Sequence, residues 1–286
     1  MSYQAPEYWK EIYEQAADAK AVCYPEWPLS YNQMLHQQQL QGLLQLMAEE
    51  KISLSNKHIL EIGPGSGFWT QFFLHHPIAS YTGVELTETA TKNLQNKFPQ
   101  HHFICSDVSA IKEHELSSEG YDFIFAAMVF LHITDDEKWL KAVQILQKAL
   151  KPGGCLMVLD AVYQHRVFGW QRKQTAGKDF DIRMHNKIRR MQDWNELFAT
   201  NVFLSLKPRP AFNLTQMCYD FRTYISYLIF GKFFYAIHRR LLTKRSEEWG
   251  KWYGKFIFRI DDWMTQTLKC GFSGKWMIWV RKEKLG

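Results

Sequence analysis

The sequence predicts an α/β protein built on a doubly wound, mostly parallel sheet, and three observations carry that prediction. Short apolar runs that do not alternate with polar residues recur between residues 57 and 160, as strands covered on both faces require. Segments of helical period separate them. The first run, Ile59-Leu-Glu-Ile62, bends at Gly63-Pro-Gly-Ser-Gly67 into Phe68-Trp-Thr-Gln-Phe-Phe73. Glycines at such a bend let backbone approach a ligand closely.

Taken in order, Pro6 to Ala19 reads as a helix with Trp9, Ile12, Tyr13 and Ala16 on one stripe. Tyr24-Pro-Glu-Trp-Pro28 breaks it. Ser30 with Gln33 then suggests a capping box for a second helix, whose apolar face (Met34, Leu40, Leu43, Leu44, Met47) is imperfect. Strand His58–Ile62 leads to helix Phe68–Leu74, and strand Ser80–Val84 to helix Glu88–Phe98, with Thr87 as its cap. His102–Cys105 and Tyr121–Ala126 are further strands. Thr134 with Glu137 suggests the box that opens the next helix, which Lys151-Pro-Gly-Gly154 stops before the strand Cys155–Asp160. Beyond it, Lys187–Ala199 reads as a helix, and Val202–Leu206 and Lys275–Arg281 as strands. Residues 213–270 form a mostly helical, aromatic and basic insertion before the last strand. The expected organisation is therefore a helical cap (1–50), an α/β core (51–212), the insertion (213–270) and a terminal strand (271–286) that completes the core.

At 286 residues the chain can bury a full core. Its net charge of +6 hides a split: residues 1–160 carry 11 Lys/Arg against 19 Asp/Glu, and residues 161–286 carry 24 against 10. Five cysteines without paired spacing suit a reducing, cytoplasmic setting, and the first residues lack the pattern of a secretory signal. The apolar run 224–237 is under 18 residues and holds Gly231 and Lys232, too short and too polar for a spanning helix. It would serve as a roof over an acceptor pocket, a subunit interface or a helix lying on anionic lipid; the oligomeric state stays open.

Polar residues stand where open α/β sheets bind ligands, at the carboxyl ends of strands. Glu85, 22 residues after Gly63, can accept hydrogen bonds from both hydroxyls of a ribose. Asp107 can accept from an adenine amine, and Glu61 can face an ammonium group. This layout would hold a nicotinamide dinucleotide as well. The surrounding motifs discriminate. Glu61-Ile-Gly-Pro-Gly-Ser-Gly67, Gly83-Val-Glu85, Cys105-Ser-Asp107, Tyr121-Asp-Phe-Ile-Phe-Ala126 and Leu150-Lys-Pro-Gly-Gly-Cys-Leu-Met-Val-Leu159 together resemble the class I S-adenosylmethionine-dependent methyltransferases, over about residues 50–160 plus the terminal strand.

That resemblance implies a Rossmann-like, seven-stranded sheet ending in an antiparallel hairpin, with S-adenosyl-L-methionine as cofactor. It implies that Gly63, Gly65 and Gly67 line the methionine end, Glu61 lies near its amino group, Glu85 holds the ribose, and Asp107 with Val108 holds adenine. Ala126, Ala127 and Met128 would border the methyl group. Its small-molecule members suggest His132 as a base, with His165 as a second candidate, and an aromatic N-terminal cover from Tyr8, Trp9 and Tyr13. Arg166, or one of Arg172, Arg183, Arg189 and Arg190, would reach an anionic acceptor. Residues 126–132 lack the Asn/Asp-Pro-Pro-Tyr/Phe tetrapeptide of amino-group methylation, and no acid cluster marks a metal site. The expectation is methyl transfer to oxygen or nitrogen of a small, aromatic or amphiphilic metabolite, an anionic one among the candidates. The alternatives are an RNA or protein methyltransferase using the basic half, or a partner protein that binds the cofactor without catalysis.

Overall fold

The computed structural model describes residues 4–15, 23–164, 186–217 and 220–283. Helices α1 (Ala5–Gln15) and α2 (Leu29–Glu49) precede the strand–helix units β1 (His58–Ile62), α3 (Phe68–Leu74), β2 (Ser80–Glu85), α4 (Glu88–Lys97) and β3 (His102–Cys105). Then come β4 (Tyr121–Ala127), α5 (Asp136–Ala149), β5 (Leu150–Asp160) and the short β6 (Val162–Tyr163). The second half contains β7 (Arg189–Arg190), α6 (Met191–Phe198), β8 (Phe203–Ser205), β9 (Arg209–Phe212), α7 (Tyr235–Leu242), α8 (Glu247–Gln266) and β10 (Gly274–Arg281).

The main sheet runs β3-β2-β1-β4-β5-β10-β8, with β9 also on β10. β3 through β5 pair in parallel, and β10 runs antiparallel to β5 and to both edge pieces. Seven strands were expected and eight are present, because the edge strand is broken. β8 pairs with Trp279–Arg281 and β9 with Gly274–Trp276, and the break between them contains Pro208. Proline cannot donate to a ladder, so it falls between the paired pieces. The hairpin partners Val202–Leu206 and Trp276–Val280 are those read from the sequence, with β9 added.

Both faces of the sheet are buried, as the non-alternating strands require. Leu60, Ile62, Ile124, Val158, Met277 and Trp279 face a core with Trp139, Val143, Trp194 and Phe198. Ile59, Phe123, Phe125, Met157, Trp276 and Ile278 face Leu43, Leu46, Trp69 and Phe73. A third core lies off the sheet, where Tyr31 and Leu35 of α2 meet Leu242, Tyr253, Ile257 and Phe258 of the helical insertion. α2 therefore serves two cores along its length, which explains its imperfect apolar face. Its buried Gln38 donates to Asp261 Oδ2 at 2.7 Å and accepts from Thr215 Oγ1 at 2.9 Å, so its polar interior is satisfied by the insertion.

Three helix starts differ from the sequence reading. α2 begins after Pro28 without a capping side chain of its own; the carboxylate of Glu247, on α8, accepts from Leu29 N–H at 2.9 Å and Ser30 N–H at 2.8 Å. The Ser30–Gln33 box is replaced by a cap from a remote helix. α5 is capped by Asp135, which accepts from Lys138 N–H at 2.9 Å, rather than by Thr134. α6 begins at Met191, not Lys187, because Arg189–Arg190 pairs in parallel with Val162–Tyr163. Thr87 caps α4 as expected.

Glu247→Ala should leave the first turn of α2 uncapped and lower stability by roughly 1 kcal/mol. Urea unfolding measures the loss, and an unchanged midpoint would show that water replaces the carboxylate without cost.

Candidate functional site

Each of β1, β2 and β4 delivers its carboxyl end to one cavity of about 520 Å³. Gly63 and Gly65 form part of its wall, with φ of +65° and +60°. A Cβ at Gly63 would lie 2.6 Å from Val129 Cγ2, so glycine is required there on both conformational and steric grounds. Gly67 is not in the wall. It precedes α3 with φ of +80°, and a Cβ on it would meet Phe98 at 2.8 Å, so this glycine sets the packing of α3 against α4.

Glu85 is buried in the wall. Its Oε2 accepts from Gly65 N–H at 3.0 Å and its Oε1 from Leu86 N–H at 2.8 Å. Burial raises its pKa, and these backbone donors oppose the rise. Glu61 is buried behind the bend, on β1. Its Oε2 accepts from Tyr81 OH at 2.6 Å and Thr70 Oγ1 at 2.9 Å, while Oε1 has no hydrogen-bond partner. Burial pushes Glu61 up to about 7, Tyr81 and Thr70 pull it back, and the nearby Glu85 adds to the rise.

At the other end of the cavity stand Ser106, Asp107 and Val108. Asp107 Oδ1 accepts from Ser109 N–H at 2.8 Å and Ser109 Oγ at 2.6 Å, and Lys138 Nζ reaches Oδ2 at 3.2 Å. Partial burial would raise Asp107, but these donors outweigh it and hold the carboxyl below its ordinary value. After β4 the wall continues through Ala127, Met128, Val129 and His132, whereas Ala126 lies fully buried beneath it. Met128 has φ of +58°, a left-handed conformation that costs a side-chain-bearing residue energy.

α1 closes the cavity. Trp9 and Tyr13 are in its wall, and the Trp9 ring meets His132 edge-on with centroids 4.8 Å apart. Tyr13 is buried against Ala90; its hydroxyl is held far above the ordinary tyrosine range by burial, with the Glu85 charge adding to the effect. Tyr8 is not in the wall and packs edge-on against Trp9 at 5.3 Å. His165 and Arg166 lie outside the described residues, as do Arg172 and Arg183.

The structure redirects two of the arginines named from the sequence. Arg189 is buried: it donates to the carbonyls of Phe130 at 3.2 Å, Ile133 at 2.8 Å and Asp135 at 3.4 Å, pairs with Asp136 at 3.2 Å, and lies 4.4 Å from the Trp139 ring. It clamps the loop that carries His132 instead of reaching into the cavity. Arg190 pairs with Asp193 at the start of α6. Beneath the same loop, Asp160 accepts from Ala161 N–H at 2.7 Å, and burial pushes it up to about 7. Sequence reasoning missed the Arg189 clamp, the Tyr81–Thr70 support of Glu61 and Lys138. Only Lys138 had a local signal, its place in the first turn of the helix after the fourth strand. None of the described residues between 213 and 270 lines this cavity; several of them line a second one of about 820 Å³ with α2 and β9. Among the described residues, no group of three or more His, Cys, Asp or Glu side chains is placed to hold a metal ion.

Residues 59–154 match the methyltransferase domain family. The ubiquinone biosynthesis O-methyltransferase of Coxiella burnetii is 27% identical over 112 residues, which are 38% of this chain and 45% of that protein; the match thus spans about half the length of the curated relative. The magnesium protoporphyrin IX methyltransferase of Synechocystis PCC 6803 shares the fold with a TM-score of 0.51 and 11% identity, over 88% of this chain and 86% of that one. The YcgJ protein of Bacillus subtilis does so with a TM-score of 0.50 and 16% identity, over 84% and 98%. Residues 59–154 are thus similar to a methyltransferase domain, and the solved structures share the fold of the chain.

The elevated Glu61 makes a pH-dependent prediction. Relative to the ordinary value of 4.5, its raised pKa favours the folded state while the carboxyl is protonated, and that contribution is lost as pH climbs through about 7. Glu61→Gln does not titrate, so its stability relative to the parent should improve by up to about 3 kcal/mol between pH 4.5 and 7.5. Urea unfolding at both pH values tests this; parallel pH profiles for the two proteins would contradict it.

Proposed function

We propose that the protein transfers a methyl group from S-adenosyl-L-methionine to an oxygen or nitrogen of a small aromatic or amphiphilic metabolite. The observation that carries the reading is the cavity at the carboxyl ends of β1, β2 and β4, where a buried acid, a glycine bend and an aromatic cover converge. The residues fit the cofactor. The unpartnered Oε1 of Glu61 suits an ammonium group, and Glu85 keeps acceptor capacity for a ribose hydroxyl beside the backbone N–H groups of Gly65, Leu86 and Thr87. Gly63 and Gly65 would admit the methionine portion, Asp107 and Val108 would hold adenine, and Met128 would border the reacting end. When bound, the cofactor supplies an electrophilic methyl group on a sulfonium.

The chain's own residues then align the acceptor and manage its proton. His132 stands in the wall on a loop fixed by Arg189 and by Trp9, so its ring is placed before an acceptor arrives. We assign it as the base that takes the proton of a hydroxyl acceptor. Trp9 and Tyr13 would exclude water and offer an apolar face to an aromatic ring. Lys138, the cation among the cavity-lining residues described, pairs with Asp107 and offsets its charge at the adenine end. The match to the Coxiella burnetii enzyme, whose name specifies O-methylation, favours oxygen over nitrogen. The cysteines at 23, 105, 155 and 270 are free thiols, which supports work in a reducing, cytoplasmic compartment.

The direct test incubates the protein with isotope-labelled methyl donor and fractionated cell extract and identifies the labelled product by mass. Label should enter molecules that pass a dialysis membrane; binding of donor without transfer to any pool would reject the catalytic reading.

His132→Ala should lower turnover about 100-fold or more. Its cofactor affinity should stay close to the parent's by calorimetry, and unchanged turnover would remove His132 as base. Glu85→Ala should weaken cofactor binding by roughly 10- to 100-fold, the range for hydrogen bonds to a charged group; undiminished affinity would reject the ribose contact.

A further inference from the structure

The helical insertion turns its polar and apolar sides the wrong way round for a helix pair in water. Between residues 224 and 242 the chain is helical, with Tyr227–Phe234 in a π-helical stretch. Ile225, Ile229, Phe233 and Ile237 recur every four residues, and the wider π turn keeps such a spacing in a straight file. All four are exposed, Phe233 by 69% and Ile225 by 68%, and Leu228 is exposed beside them. On α8, Trp252, Phe256 and Trp263 form a second file on the outer face, with Trp252 exposed by 63% and Trp263 by 56%. The inner faces of the same helices are satisfied, since Leu242, Tyr253, Ile257 and Phe258 fill the third core. A soluble surface seldom carries so many large apolar side chains together unless something covers them.

The charges identify the cover. Residues 224–263 hold eight lysines and arginines, all exposed, against four acids, of which Glu247, Asp261 and Asp262 are engaged by α2. A second copy of this face would set those cations against their like. Nucleic acid would take the charge, but Ile225, Leu228, Ile229 and Ile237 have no ring to stack on bases. An anionic lipid surface takes both the cations and the branched apolar chains, and tryptophan favours the depth where headgroups meet hydrocarbon. Among the described residues no helix is long and apolar enough to cross a membrane, which fits helices that lie along one. We propose that the outer face of residues 224–263 is a peripheral docking surface for anionic bilayers.

The test uses the full chain and vesicles of phosphatidylcholine with or without phosphatidylglycerol. At low salt the protein should co-sediment with the mixed vesicles and far less with phosphatidylcholine alone, and tryptophan emission should shift to the blue. A variant carrying Ile229→Asp and Phe233→Asp should bind about tenfold more weakly or worse, with the melting temperature of the parent. If that pair unfolds the protein, Trp252→Ser with Phe256→Ser, on the neighbouring helix, should give the same loss. No binding to mixed vesicles overturns the proposal. So does equal binding by the variants, which would mean charge adsorption alone. So too does a dimer by light scattering that hides the tryptophans and ignores vesicles, or RNA binding that vesicles do not displace.

Discussion

The cavity depends on one buried carboxylate. Glu85 ends β2, yet it accepts the N–H of Gly65 in the bend after β1 and the N–H of Leu86 in its own turn. Turn backbone at a strand end has no ladder to satisfy it, and a buried N–H left alone costs about 1–3 kcal/mol. A single side chain therefore fixes two turns relative to each other. An amide at this position could not accept from two donors so symmetrically without turning its own N–H₂ into the site. Glu61, one strand away, is the complementary case: two hydroxyls hold one of its oxygens and the other is left open. The sheet thus stores acidic capacity at the bend, at the expense of burying two carboxyl groups within each other's field.

The insertion is fastened to this sheet by polar contacts at both of its ends. Asp261 of α8 accepts from the backbone of Asn213, Leu214 and Thr215, which fixes the point where the insertion leaves β9. Lys275 of β10 donates to Asp220 at 2.7 Å and to the carbonyls of Val162 and Gly271, both at 3.0 Å, so the last strand holds the insertion from the other side. Both members of that ion pair are buried, and removing either would leave a charge without compensation. Within the third core, His238 joins Tyr31 and Tyr253, and burial lowers its pKa to about 4, so the ring packs there in its neutral form.

Much of the parallel sheet was legible because each strand is a local pattern, and so was the set of acids at the strand ends. Ile59–Ile62, Phe123–Ala126 and Leu156–Leu159 declare burial on both faces by lacking alternation. The glycines declared the bend, although only the packing shows that Gly67 serves the α3–α4 contact while Gly63 and Gly65 face the cavity. What stayed hidden depends on residues far apart in the chain. Arg189 looked like one of several cations that could meet an anion; its carbonyl partners lie 54 to 59 residues away. Glu247 gave no sign of capping a helix more than 200 positions earlier. The break in the edge strand holds Pro208, and its pairing on both sides required β10 to be in place.

Tyr13 is the one buried side chain of α1, an element of 11 residues. A segment held by so little apolar surface has its own low opening free energy, separate from that of the sheet beneath it. Entry and exit at the cavity would then be timed by detachment of this helix rather than by breathing of the whole molecule. Because Trp9 would leave with it, each detachment would also uncover the imidazole of His132, so solvent would reach the cavity and that ring in the same event.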